Sequence, residues 1–315
     1  MRRIQFLQHS AIVGAALASP RLVSAASGMY ASPGERRVAQ VLNARRSMVQ
    51  NVPVLRAFAG GQNDLVSPFV MLDEFGPLDV HPGSIGMDIQ AHPHAGVVPT
   101  TYLVQGSGRH TDSMKNDIVY HEGQYMLFNS GRGAIHEEVS DDQLRANGGV
   151  VHGFQIWLNL PAAEKFCAPN TAIHDPETLP VIEKGRSRIK VLIGSLFGRT
   201  APTETYSPTF YYHITLAAGE RLDIPVTSGH NAFVYVVGGE MELEGRQAVK
   251  DEQMALYERE GDALRYYSET GCEFLLLGGQ PLNEPVVSYG PFVMNSREQI
   301  NQCYQNYRAG RMGEL

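Results

Sequence analysis

Basic charge is in short supply in this chain. Lysine and arginine number 26 against 33 aspartates and glutamates, a formal charge of −7, with a pI near 5.9. That balance gives no electrostatic footprint for nucleic acid, so none is expected to bind directly. Past residue 26 no apolar run approaches 18 residues, so no transmembrane helix and no membrane partner are expected there. Cysteine is sparse too. Cys167, Cys272 and Cys303 are odd in number and lack C-x-x-C spacing, which excludes a zinc ribbon and a dense disulfide framework. At most one pair could bridge, and buried free thiols are the expectation. What the chain has in quantity is glycine, 32 residues, within a composition that is 43% hydrophobic. That is a turn-rich globular protein, and 315 residues suit two cores rather than one.

The chain is organised around the stretch from Asp88 to Val139. It opens with His92-Pro93-His94-Ala95-Gly96 and closes with Gly131-Arg132-Gly133-Ala134-Ile135-His136-Glu137-Glu138. Between them lies an alternating, Gly-punctuated segment that reads as β-strands. Side chains alternate faces along a strand, so His92 and His94 share one face, as do His136 and Glu138. If the strands bring the chain back beside its start, three imidazoles and a carboxylate converge. Such a set suits a borderline divalent ion, with imidazole favouring Fe, Cu, Ni or Zn over Mg or Ca. A lone His-x-His is usually a pair of ordinary polar turn residues. A second pair beginning 42 residues after His94, behind a Gly-rich turn, favours the metal.

These two motifs resemble those of the pirin family, a branch of the cupins, whose ligand pattern is His-Pro-His followed by Gly-x-x-His-x-Glu. The resemblance implies His92, His94, His136 and Glu138 as metal ligands, with Glu137 on the spacer position facing away. Further blocks match: Ser67-Pro68-Phe69 through Asp73-Glu74-Phe75-Gly76-Pro77, His152-Gly153-Phe154 through Pro161, and Gly290-Pro291-Phe292-Val293-Met294-Asn295-Ser296. Together they span roughly residues 37–311. The implied fold is all-β, a bicupin of two antiparallel cupin-type β-barrels placed face to face with a short C-terminal helix. The metal-binding barrel covers 37–165, a degenerate barrel 189–290, and a helix-bearing segment 291–315. Two positions depart from the family: Ala95 stands where an arginine is frequent, and Val98, beside Pro99, where a glutamate is frequent.

In chain order, residues 1–26 are set aside as an export signal. Arg2-Arg3, then Phe6-Leu7, a small apolar stretch and Val23-Ser24-Ala25 resemble a twin-arginine signal with a cleavage site. A periplasmic location follows as the expectation, a cytoplasmic one as the alternative. Val52 and Val54 around Pro53 suggest an edge strand, and Phe69 and Met71 a strand ending in a Gly76-Pro77 turn. Asp73 and Glu74 are adjacent, so they point to opposite faces and read as structural. His110 and His121 sit in polar, turn-like surroundings and read as surface residues or as donors behind the ligands. Arg132 is either a charged group behind the ligands or a plain turn residue. From His152 to Pro161 the alternation is strong. Phe154, Ile156 and Leu158 share one face; Gln155, Trp157 and Asn159 share the other, where Gln155 and Trp157 could line the cavity or simply pack. Residues 161–188 read as a linker or arm. Aligning Gly106 with Gly238 puts His92 and His94 on Ile224 and Val226, which cannot bind metal, so the second barrel is expected to be empty of it. His213 and His230 read as structural or exposed. A helix is expected over 298–311, capped by Asn295 or Ser296.

Two functions are open at this level. Some members of the family resemble quercetinases, which open the flavonol C-ring with O₂ and release carbon monoxide. The resemblance then implies one divalent ion, Fe(II) foremost with Ni, Cu, Mn or Zn as alternatives, and Glu138 as both ligand and catalytic base. Its substrates would be a flavonoid or phenolic small molecule and O₂, handled by a monomer. The alternative is a non-enzymatic, iron-dependent redox sensor or regulatory binding protein, or a metal-bearing protein without turnover. An export signal argues against a transcriptional role.

Overall fold

Strands buried on both faces hold this chain together. In Asn231–Glu242, Ala232, Val234 and Val236 point into one core while Phe233 and Tyr235 point into another. Cys272–Gly279 divides in the same way, Phe274 and Leu276 against Leu275 and Leu277. A computed structural model describes residues 34–60, 64–243 and 247–315; the arginine-led stretch 1–26 lies outside the described residues. Among them, antiparallel sheets build two barrels, as expected. The first pairs a seven-stranded sheet with a four-stranded one. The seven-stranded order is Asn170–His174, Tyr125–Asn129, Val97–Gln105, Gly149–Asn159, Phe69–Val80, Val52–Ala59 and Arg45–Val49. The four-stranded order is Asp88–His94, Ala134–Val139, Ser107–Asp112 and Asp117–His121. The second barrel forms around Thr209–Leu216, Cys272–Gly279 and Asn231–Glu242. Its interior holds one large apolar cluster, and Ile224 and Val226, the counterparts of the first His pair, are part of that core.

The barrels share their interface. Phe154, Ile156, Leu158, Leu72 and Phe69 of the first join Phe233, Tyr235, Leu275 and Leu277 of the second in one cluster. Phe233 meets Phe58 and Phe69 edge-on, each at 5.5 Å. Polar contacts, among them the following, cross the same interface. Tyr235 donates its hydroxyl proton to Glu74 at 2.5 Å, and Glu74 is also 2.7 Å from His152 Nε2. Tyr102 lies 3.0 Å from His213 Nδ1, whose Nε2 reaches Glu273 at 2.8 Å. His213 is therefore structural.

Chain order and barrel membership diverge at several places. Val38–Asn43, expected in the first barrel, pairs with Gln253–Tyr257 of the second. The linker read over 161–188 carries two strands. Asn170–His174 extends the first barrel through Tyr125–Asn129, and Val181–Lys184 joins the second through Ser187–Ile193. The first edge strand is Arg45–Val49, not the Val52 strand, which is paired on both sides. Gly76-Pro77 does not end a strand either: Phe69–Val80 runs through it with a register shift opposite Val151 and Gly153. Gly76 has φ +86°, and a Cβ there would strike the carbonyl of Val151. All three cysteines are free; Cys272 and Cys303 are buried and Cys167 half-buried. The C-terminal helix is Arg297–Arg308, and Ser296 caps it in a reciprocal pair with Gln299.

The C-terminal segment returns to the first barrel. Phe292 bridges Ala95, and Phe292, Met294, Ile300, Cys303 and Met312 pack around Ala95. Lys165, fully buried, donates from Nζ to the carbonyls of Gly96 and Val293 at 2.8 Å each and to Asn159 Oδ1. Gly96 has φ +77°, and a Cβ there would meet Val293 O, so the strap can lie this close only over glycine.

Candidate metal centre

Ala134–Val139 lies in the middle of the four-stranded sheet, and its alternation is clean. His136 and Glu138 are buried towards the barrel interior, while Glu137 turns away to accept from Thr111 at 2.8 Å. His136 stands directly opposite His92 in register, and Ala134 opposite His94. The ring of His92 is therefore 4.5 Å from that of His136 and 4.8 Å from that of His94. His92 Nε2 and His136 Nε2 are 3.1 Å apart. Two imidazole nitrogens this close repel unless a proton or a cation lies between them.

The outer ring nitrogens are engaged. His92 Nδ1 lies 2.8 Å from Gln90 O, and His94 Nδ1 lies 3.1 Å from Pro291 O in the returning strap. A carbonyl only accepts, so both rings carry their proton on Nδ1 and present the Nε2 lone pair inward. Ligand atoms of His92, His94 and His136 all fall within 4.8 Å of one another, as do those of His110, His136 and Glu138. Metal–nitrogen bonds of about 2.1 Å place neighbouring donors roughly 3–4 Å apart, so the three imidazoles fit a single divalent ion, while Glu138 falls in the second group, which shares His136 with the first. Burial holds His94 and His136 well below the usual imidazole range, with the neighbouring imidazoles adding to the effect. The rings are neutral, the form that coordinates.

Glu138 is gripped from the facing sheet. Its Oε1 accepts from Thr101 at 2.7 Å and its Oε2 from Gln155 Nε2 at 2.8 Å. These donors belong to a row: Arg56 stands opposite Asp73, Asp73 opposite Gln155, and Gln155 opposite Thr101 across four adjacent strands. All four line a cavity of about 450 Å³ that also holds the His/Glu cluster. Asp73 and Glu74 do face opposite ways. Asp73 looks into the cavity, held by Arg56 at 2.6 and 2.8 Å. Burial pushes the Asp73 carboxyl up while Arg56 pulls it back. The rest of the wall is largely apolar, from Val52, Val54, Phe75, Met87 and Ile89, and Gly290-Pro291 of the strap also line it.

Gln155 and Trp157 line the cavity as the alternation allowed. Trp157 meets the His94 ring edge-on at 4.7 Å. Arg132 has no part in the site: its side chain is exposed, and its backbone N–H donates to Cys167 O in the turn. Of the two readings left open for His110, the structure excludes the surface one and places the ring behind His136. The residue is fully buried in Ser107–Asp112, with Nδ1 at 3.5 Å from His136 Nδ1 and Nε2 at 3.1 Å from Asp112 Oδ2. His121 is exposed. Tyr120, not singled out from sequence, reaches the cavity from Asp117–His121. Its phenol is pushed well above its ordinary value by burial and by the charges of Glu138 and Asp141, so it stays protonated. The hydroxyl of Tyr120, the Nε1 of Trp157 and the Oε1 of Gln155 are buried without a partner among the described residues.

Comparison with known proteins identifies the family. Residues 51–158 match the family model described as pirin, and residues 211–313 the one described as the pirin C-terminal cupin domain. A pirin-like protein of Solanum lycopersicum is 33% identical over 79% of this chain and 82% of its own. A Vibrio cholerae protein, named provisionally as a quercetin 2,3-dioxygenase, is 34% identical over 88% of this chain and 97% of its own. Among solved structures, a quercetin 2,3-dioxygenase from Acinetobacter baumannii superposes with a TM-score of 0.85 at 27% identity, covering 89% of this chain and 99% of that one.

Proposed function

The chain belongs to the pirin family, and from that premise we propose that the cavity over His92, His94, His136 and Glu138 is the active site of a metal-dependent dioxygenase acting on a flavonol or similar phenolic with O₂. The observation that carries this is a group of three histidines, His92, His94 and His136, with Glu138 in a second group that shares His136, all lining a largely apolar cavity in which three buried polar atoms have no partner among the described residues. The cavity's size falls in the range of roughly 300–1,000 Å³ that suits a small molecule. Its apolar wall suits a flat aromatic, and its unpartnered atoms suit hydroxyl and carbonyl groups on one. Trp157 N–H and the Tyr120 hydroxyl donate, and Gln155 Oε1 accepts. The similarity to the Acinetobacter quercetin 2,3-dioxygenase supports the same substrate class.

The ion assigned here is Fe(II), with Ni, Cu, Mn or Zn as alternatives, held by His92, His94, His136 and Glu138. When bound, such an ion would supply Lewis-acid chemistry to an oxygen substrate, and any of them but zinc one-electron chemistry as well. The protein's own groups bind and orient. Glu138 is the base for a phenolic hydroxyl, with Thr101 and Gln155 fixing the direction in which its carboxylate can take the proton. The apolar wall excludes water from the ring.

Elemental analysis of natively purified protein, then anaerobic addition of quercetin followed by O₂, tests the proposal. About one transition-metal ion per chain and O₂-dependent loss of flavonol absorbance are expected. A bound metal with no turnover would replace the dioxygenase with the iron-dependent sensor, and no metal at all would end both.

A further inference from the structure

Behind His136, on the side away from His92, lies a second pair of buried groups. His110 and Asp112 sit on Ser107–Asp112, which flanks Ala134–Val139 so that His136 opposes Asp112 and Glu138 opposes His110 in register. Asp112 is surrounded by donors. Its Oδ2 accepts from Thr171 Oγ1 at 2.6 Å and Asn116 Nδ2 at 2.8 Å; its Oδ1 accepts from the backbone of Met114 at 2.9 Å and Asn116 at 3.2 Å. Burial alone would raise this carboxyl, but the bonds from His110, Thr171 and Asn116 outweigh it and hold the group below the ordinary carboxylate range.

We infer that Asp112 and His110 form a positioning pair that fixes the tautomer and orientation of His136, resting on the metal reading above. A carboxylate can only accept, so the His110 Nε2 at 3.1 Å carries the proton. A neutral imidazole then has its lone pair on Nδ1, and a second proton there would set a cation against the ion site. The His136 Nδ1, 3.5 Å away, is left as the donor, and its lone pair belongs to Nε2, the atom facing His92. His92 and His94 are aligned by backbone carbonyls of Gln90 and Pro291, which no substitution removes. For His136 the same task falls to side chains, so this one ligand can be re-set by a single substitution.

The test measures nickel(II) affinity by chelator competition in the full-length protein, with melting curves and near-UV circular dichroism to establish folding. His110→Leu fills the space but cannot accept from His136, and its affinity is expected to fall about 10- to 100-fold. His110→Gln keeps both roles, its amide oxygen accepting from His136 and its NH₂ donating to Asp112, and is expected to stay within about threefold of the unaltered protein. Asp112→Asn is close in shape but brings a donor into a ring of donors, and is expected to lose affinity together with His110→Leu. If His110→Leu does not fold, the contrast between His110→Gln and Asp112→Asn decides. His110→Leu within threefold of the unaltered protein would overturn the pairing. Equal losses in His110→Leu and His110→Gln would make His110 a ligand in its own right, in the group it forms with His136 and Glu138, and would overturn it as well. If the unaltered protein takes no nickel(II), both this inference and the reading of the metal centre fall; if it does and the variants match it, only the inference falls.

Discussion

Each side chain proposed as a ligand is held by a neighbour: Glu138 by Thr101 and Gln155 of the facing sheet, His94 by Pro291 of the strap, His136 by His110 of the adjacent strand, and His92 by Gln90 within its own strand. Removing one ligand therefore leaves the scaffold standing while opening the donor set. His136→Ala is expected to fold normally and to retain about a tenth or less of the normal metal content on elemental analysis, since one ligand of four is gone. Near-stoichiometric metal in that variant would remove His136 from the ligand set. At this scale the sequence carried a signal that its local context masked. His110-Thr111-Asp112 has the same i, i+2 spacing as His92/His94 and His136/Glu138. Between Gly106, Gly108 and Ser113 it resembles a turn. Only the strand beside it shows that the histidine is interior.

Among elements, the strap from Gly290 to Met294 joins stability to the site. Phe292 is buried beside Ala95 while the preceding Pro291 carbonyl meets His94, so displacement of the phenyl group shifts an atom that orients a ligand. Phe292→Ala is expected to cost about 3–5 kcal/mol in urea denaturation. It is also expected to weaken metal binding by roughly tenfold, because the Pro291 carbonyl, still present, is displaced from His94 Nδ1. A stability loss with unchanged chelator competition would show that the strap holds the fold but not His94. The Ala95-Gly96 pair belongs to this element too. Where the family often has an arginine this chain has a small buried residue, and the strap packs directly on it.

For the whole molecule, burial of the imidazoles sets a pH dependence. His94 and His136 are held well below the ordinary imidazole value by burial in the native protein, and regain it on unfolding. Below about pH 6.5 the unfolded chain thus binds protons that the native chain refuses, and native stability falls as pH falls. Each group contributes at most about 1.4 kcal/mol per pH unit. Metal-free protein is expected to lose about 2–3 kcal/mol between pH 7.5 and 5.5, read from urea melts at each pH. A flat profile would mean that the two rings are hydrated in the native state. The core shared by the barrels also predicts one cooperative transition in those melts rather than two.

Alternation and spacing in the chain were enough to establish strands, the shared face of each ligand pair and the opposite faces of Asp73 and Glu74; the second barrel, with Ile224 and Val226 in place of histidines, needed the family resemblance beside a weak repeat. These are local properties: a side chain's face follows from its parity along a strand, and an aliphatic group cannot coordinate. Which strand lies beside which is not local. The crossing of Val38–Asn43 into the second barrel, the strands within 161–188, the strap over His94 and the burial of His110 and Asp112 depend on pairings between residues far apart in sequence. Short polar or proline-bearing segments carry too little periodicity to announce such pairings. Tertiary structure decided them because each segment is stable only against a partner edge that the rest of the fold supplies.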